Sequence, residues 1–353
     1  MLIRSFPGSR PEAKAGCGCC FFSRRAFLGS AVAGAATLAG SQAAPAAAPR
    51  DIVDVHAHFT PPTFRPAGIA QGPMAGWSVE KQYEEMDKAG LSRALLSITT
   101  PGVTVPGDAG LKLAREANDY GAKIAGDSKG RLGLFVYVHR PDQADAALKD
   151  IAYGLDALKA NGVCLFTSYG GKYLGDAVYD PLFAELNRRK AIIYVHPTSG
   201  ACCARALPVV PDTVIEFGTD TTRAITNYVY SGAARRYPDV KLIFSHSGGT
   251  MPFLIERYDF LDRSGQGKAG APEGFRKEIA KFYFDIAQAA NPVATRALRA
   301  VVPTGQLVFG TDYPYRTPIE HVQALEAAKV FDRRELAAIY RGNLVRSLGG
   351  LLT

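Results

Sequence analysis

From Ile52 onward, short apolar runs rich in β-branched and aromatic residues alternate with longer stretches whose apolar positions recur at helical spacing. The first pattern fits strands covered on both faces; the second fits helices with one covered face. Strands are expected over residues 51–58, 93–98, 131–138, 162–167, 191–196, 240–246, 282–286 and 306–311. Helices are expected between them, near 78–90, 110–126, 141–160, 177–190, 213–236, 251–262, 292–301 and 318–329. In the first of these Val79, Tyr83 and Met86 keep the period, and Ser78 stands where an N-cap belongs. In the fourth, Asp180-Pro181 puts a proline where a first turn tolerates it. Eight strand–helix units predict an α/β fold of the (β/α)8 TIM-barrel type. A doubly wound open sheet is the rival, but no Gly-x-Gly-x-x-Gly follows the first strand to support it. A short helical tail, Arg334 to Leu348, is expected after the eighth unit.

The first fifty residues break this rhythm. Ser23-Arg24-Arg25-Ala26-Phe27-Leu28-Gly29 precedes an uncharged Ala/Gly-rich stretch, Ser30 to Gly40, and then an Ala-rich segment from Ser41 to Ala48. Twin arginines, a short apolar core and small residues at a cleavage zone resemble a twin-arginine export signal. The chain divides accordingly into a signal and cleavage region, 1–48, and a catalytic barrel, 49–353. The expected location is the periplasm, with no stable membrane insertion after processing, because the apolar stretch is short for a span.

Charge changes meaning once the leader is set aside. Residues 1–50 hold six basic residues against Glu12, so five of the net +8 charges belong to the leader and +3 remain. That balance gives no argument for nucleic acid as a partner. Cysteines divide similarly: Cys17, Cys19 and Cys20 lie in the leader, leaving Cys164, Cys202 and Cys203. Adjacent cysteines pair only with difficulty, so Cys202 and Cys203 are expected as free thiols.

The chemistry gathers at strand ends. His56-Ala57-His58 closes the first strand, where side chains two apart point the same way. Tyr194-Val195-His196, Phe244-Ser245-His246 and Phe309-Gly310-Thr311-Asp312 close the fifth, sixth and eighth. In a (β/α)8 barrel the C-terminal strand ends share one mouth, so all five polar residues should converge there. Imidazoles and a carboxylate suit one divalent cation, zinc favoured over manganese, with no organic cofactor. Asp54 shares the strand face of His56 and would either orient a ligand imidazole or serve as a plain strand-start aspartate. His139 is expected in a loop, and His321 on the surface of its helix. Trp77, Phe59 and Tyr313 are read as pocket walls or as core packing.

These segments resemble the amidohydrolase superfamily, in the branch that holds aminocarboxymuconate semialdehyde, gamma-resorcylate and methylsalicylate decarboxylases. Ser245-His246-Ser247-Gly248-Gly249-Thr250-Met251-Pro252-Phe253 and Gly310-Thr311-Asp312-Tyr313-Pro314 carry the likeness most specifically. The resemblance implies His56, His58, His196 and Asp312 as metal ligands and His246 with Asp312 as the catalytic pair. Many superfamily hydrolases add a second metal through a lysine ending strand four; Gly162 to Ser168 holds none, which favours one ion. In decarboxylases of this kind an arginine eleven residues past the strand-six histidine reaches the neighbouring subunit's site. That position is Arg257, implying a homodimer, while Arg223 is a second anion-binding candidate. The implied activity is non-oxidative decarboxylation of a small aromatic or muconate-type carboxylic acid, such as an ortho-hydroxybenzoate, with Asp312 shuttling the proton. A metal-dependent hydrolase of a lactone, ester or amide is the alternative. A non-catalytic metal-binding protein would leave His246 without a role.

Overall fold

Eight parallel strands lie side by side in sequence order: β1 (Ile52–His58), β2 (Leu91–Ser97), β3 (Leu132–Tyr137), β4 (Gly162–Phe166), β5 (Ile192–His196), β6 (Lys241–Phe244), β7 (Tyr283–Asp285) and β8 (Leu307–Val308). One main helix follows each strand: α1 (Val79–Ala89), α2 (Gly107–Asp127), α3 (Ala144–Ala152), α4 (Asp180–Arg188), α5 (Glu216–Tyr230), α6 (Ile255–Ser264), α7 (Pro292–Arg299) and α8 (Pro318–Ala327). The sheet closes without a regular β1–β8 ladder. The Val55 N–H donates to the Phe309 carbonyl at 3.0 Å, the Asp312 N–H to His56 at 2.7 Å, and the His58 N–H to Tyr313 at 2.7 Å. The result is the expected (β/α)8 barrel. This computed structural model describes residues 51–353, so the expected export signal lies outside the described residues.

Two apolar clusters hold it together. Inside the barrel, Val53, Val55, Phe135, Tyr194, Ile243 and Val308 pack with Leu344, Leu348 and Leu351 of the C-terminal tail. The tail is tied beneath the strand starts, since Arg93 donates to the Thr353 carbonyl at 2.6 Å and Asn161 to that of Gly350 at 2.9 Å. Outside, helix residues such as Met86, Leu182, Ile225 and Leu325 cover the strands. Helix α1 shows the local logic. The Ser78 hydroxyl accepts the Lys81 N–H, Gly90 ends the helix with φ of 75°, and Met86 is fully buried between them. Such a burial is worth about 1.5–3 kcal/mol.

The register of β1 shifts where the chemistry begins. Asp54 pairs with Ala94 but Ala57 pairs with Leu96, so β1 advances three residues while β2 advances two. The extra residue is a bulge, which changes the phase of inward-facing positions. Val53 and Val55 face inward below it, and His56 and His58 carry the inward face above it. Two features escape the apolar pattern. A small antiparallel hairpin, Ser168–Tyr169 with Lys172–Tyr173, follows β4. Strand β8 is only two residues long, because the chain leaves the ladder to carry Asp312 over His56. No helix among the described residues is long and apolar enough to cross a membrane.

Candidate active site

Three imidazoles and one carboxylate meet above the bulge. The ligand-competent atoms of His56, His58, His196 and Asp312 all lie within 4.8 Å of one another, and all four residues are buried. Nε2 of His56 and Nε2 of His58 are 3.1 Å apart, and Asp312 Oδ1 lies 3.2 Å from the first and 3.0 Å from the second. Gly310 makes the approach possible: a Cβ there would sit 2.9 Å from that of His56 and 3.0 Å from that of Asp285.

The outer partners fix the imidazole tautomers. His56 Nδ1–H donates to Asp285 Oδ2 at 2.9 Å, His58 Nδ1–H to the Ser97 carbonyl at 3.3 Å, and His196 Nδ1–H to the Pro197 carbonyl at 2.8 Å. A carboxylate and two carbonyls only accept, and the Ser97 hydroxyl 3.2 Å from His58 Nδ1 can accept as well, so each Nδ1 carries a proton and each Nε2 points inward. Three converging lone pairs and an anionic oxygen repel one another unless positive charge sits among them, either a metal ion or, without one, a proton on His56. The donor set therefore fits one divalent ion, held by His56, His58, His196 and Asp312.

Electrostatics agree. Burial lowers the pKa of His58, and burial with its imidazole neighbours takes His196 well below the ordinary range, so both are neutral ligands. Burial would also lower His56, but Asp285 and Asp312 outweigh it and lift its pKa to about 10. Burial would raise the carboxyls; the His56 imidazole reverses this, leaving Asp285 below and Asp312 well below the usual carboxylate range. The site thus favours positive charge at His56 and negative charge on both aspartates.

His246 joins from β6. Its backbone is left-handed, with φ of 53°, and its Nε2 lies 3.3 Å from Asp312 Oδ2, the oxygen turned away from the other three histidines. A cavity of about 670 Å³ opens over this face, lined by His196, His246, Asp312, Phe217, Tyr315 and Arg316 among others.

Several expectations change. Asp54 does not orient an imidazole. It accepts the His56 backbone N–H at 2.9 Å and the Thr311 hydroxyl at 2.6 Å, because the bulge removes it from the inward face. The imidazole partner is Asp285, which also accepts the His246 backbone N–H at 2.9 Å and the Tyr194 hydroxyl at 3.2 Å. A carboxylate ending the apolar run Phe282-Tyr283-Phe284 was the available signal. His321 is buried rather than on the surface, its Nε2 accepting the Gln288 N–H at 2.9 Å. Trp77, Phe59 and Tyr313 belong to the core, with Phe59 packed edge-on to Trp77; Phe217 and Tyr315 are the aromatic walls. Cys202 and Cys203 are joined as a disulfide, in a turn where the N–H groups of Cys203 and Ala204 both donate to the Gly200 carbonyl.

Neither predicted arginine lines the cavity. Arg257 is exposed on α6, and Arg223 on α5 lies 3.4 Å from Cys203 Sγ and 3.9 Å from Glu216. At the end of β4 stand Phe166 and Thr167, and Lys172 is exposed on the hairpin beyond.

Comparisons with known proteins agree with this geometry. The amidohydrolase family model matches residues 53–349. The chain is 34% identical over 320 residues to decarboxylase yanB of Aspergillus niger, covering 84% of this chain and 87% of that one. It is 34% identical over 273 residues to a 6-methylsalicylic acid decarboxylase of Penicillium expansum, covering 74% and 84%. In fold it is similar to a dihydroxybenzoic acid decarboxylase of Polaromonas solved with manganese and 2-nitroresorcinol (TM-score 0.75, 18% identity, 85% of this chain and 97% of that one). The chain belongs to the amidohydrolase family.

Proposed function

We propose that this protein is a metal-dependent, non-oxidative decarboxylase of a small hydroxylated aromatic acid. The observation that carries the reading is the division of labour on Asp312: Oδ1 faces His56 and His58, while Oδ2 faces His246 and the cavity. When bound, the divalent ion would polarise the carboxylate and the neighbouring oxygen of an ortho-hydroxybenzoate. Asp312, ionised at rest, takes a proton at Oδ2 from the ortho-hydroxyl of the substrate and delivers it to the ring carbon bearing the carboxylate. The bond from that carbon to the carboxylate then breaks, its electron pair restores the aromatic ring, and carbon dioxide leaves. His246 holds Oδ2 in line for the transfer, and Phe217 with Tyr315 provides flat apolar walls for a ring. The relatives named as decarboxylases support this over the hydrolase alternative.

Three imidazoles and a carboxylate suit zinc, and a neighbour of the same fold carries manganese; reconstitution with each ion decides between them. Arg316 lines the cavity from the same chain, whereas Arg257 would contribute from a second copy in a homodimer. Arg223 on α5, outside the cavity, is the weaker anion-binding candidate. Arg24 and Arg25 support export of the folded protein to the periplasm, with cleavage between Gln42 and Arg50. Replacing both with lysine should leave the protein unprocessed inside the cell.

The activity is tested by offering metal-loaded protein a panel of hydroxybenzoates and lactones while following carbon dioxide and acid release separately. Carbon dioxide from at least one ortho-hydroxybenzoate is expected. Lactone hydrolysis with no carbon dioxide from any acid would replace the lyase with a hydrolase.

A further inference from the structure

His246, Ser247 and Asp312 take left-handed backbone conformations at the ends of β6 and β8. Gln288, three residues past Asp285, does the same with φ of 54°. Side chains other than glycine and asparagine adopt this conformation only where surrounding structure holds it. Here the holder is His321 on α8. Its Nδ1–H donates to the Thr317 carbonyl at 3.2 Å, which leaves Nε2 to accept the Gln288 N–H at 2.9 Å. Burial lowers the His321 pKa and keeps that acceptor unprotonated. The Gln288 side chain then faces the cavity, and its amide donates to Asp312 Oδ2, the oxygen His246 also addresses.

We infer that Gln288 is a positioning residue for Asp312, aiming Oδ2 at the cavity, and that His321 anchors Gln288 in the conformation this requires. The inference rests on the decarboxylase reading, in which Oδ2 carries the transferred proton. An amide is suited to the task. It donates to the carboxylate and, after rotating, accepts from the protonated form, so one neutral group follows Asp312 through both states. His321 touches no reacting atom, and its burial beside the site otherwise has no use in the mechanism.

The test combines His321→Leu, His321→Gln, Gln288→Met and the double variant His321→Leu/Gln288→Met. Amide hydrogen exchange at Gln288 needs no substrate, and it should quicken at least tenfold in His321→Leu and return towards wild type in His321→Gln, whose side-chain carbonyl can replace Nε2. With an acid that wild-type protein decarboxylates, His321→Leu and Gln288→Met should each lower kcat about tenfold or more, with KM and metal content unchanged. The double variant should lose no more than either alone, because the two residues act as one unit. Unchanged exchange, losses that multiply, or a fall in metal content would overturn the inference. If His321→Leu does not fold, undiminished kcat in Gln288→Met overturns it equally. Failure of the wild type on every acid would count against the decarboxylase reading, while the exchange measurement still decides the anchor.

Discussion

Along β5, Tyr194 and His196 are two residues apart on one strand face, yet they belong to different regions of the molecule. Tyr194 stands among Phe135, Ile243 and Val55 in the floor of the barrel, a packed apolar plug finished by the C-terminal tail. His196 stands in the mouth, where buried groups are charged, metal-competent or held in left-handed backbone. Asp285 is the seam between the two, bonded to Tyr194 below and to His56 and His246 above. The lesson is that the floor stores stability and the mouth spends it. Substitutions in one region should therefore leave the signature property of the other intact.

The largest contrast is between Asp312→Asn and Phe135→Ala. With metal loading matched to wild type, Asp312→Asn should lower kcat by about 10³-fold or more, because the proton donor is gone, while the melting temperature hardly moves. Phe135→Ala should cost about 3–5 kcal/mol of unfolding free energy and leave kcat per folded molecule unchanged. Urea unfolding and steady-state turnover on both variants would expose any blurring of the two regions. Next, Asp285→Ala should weaken metal affinity about 10–100-fold, since the His56 tautomer loses its acceptor. Competition with a chelator measures this, and wild-type affinity would show that Asp285 serves the floor alone.

The first of these predictions uses a residue legible in the sequence, and the second uses one that was not. Short continuous apolar runs and helical apolar patterns located all eight strand–helix units, since burial on both strand faces leaves so plain a mark. His56, His58, His196, His246 and Asp312 were visible because each ends an apolar run. Asp285 also ends one, but a lone aspartate gives no sign that it faces an imidazole more than two hundred positions away. The β1 bulge reversed the facing of Asp54, and a one-residue insertion in register leaves no trace in the apolar pattern. His321 read as surface because it lies within a helix on the far side of its unit; its partner is the Gln288 N–H in the loop after β7, which only tertiary packing brings close.

Smaller effects sharpen the mouth further. Because Asp285 and Asp312 lift the His56 pKa to about 10, the metal-free protein carries a proton there that must leave before an ion binds. Metal affinity should therefore rise with pH, about tenfold per unit between about pH 6 and 8, with one proton released per ion. Calorimetry in buffers of different ionisation enthalpy checks both; pH-independent affinity would mean that His56 is already neutral. Smallest is Arg257→Ala, expected to raise KM about tenfold with kcat nearly unchanged. At substrate well below KM, where Arg257→Ala is slow, mixing it with His246→Ala subunits should restore part of the activity if Arg257 serves a neighbouring copy, and no recovery would confine the site to one chain.

Proton transfer from Asp312 to the ring carbon that loses carbon dioxide can be followed by isotope placement. Metal-loaded wild-type protein should convert a carboxyl-labelled ortho-hydroxybenzoate in deuterated water to labelled carbon dioxide and a phenol bearing one deuterium, at the carbon that held the carboxylate. Asp312→Asn at equal metal content should form neither product at a comparable rate. Deuterium spread over other ring positions, or equal labelled carbon dioxide from Asp312→Asn, would contradict the account.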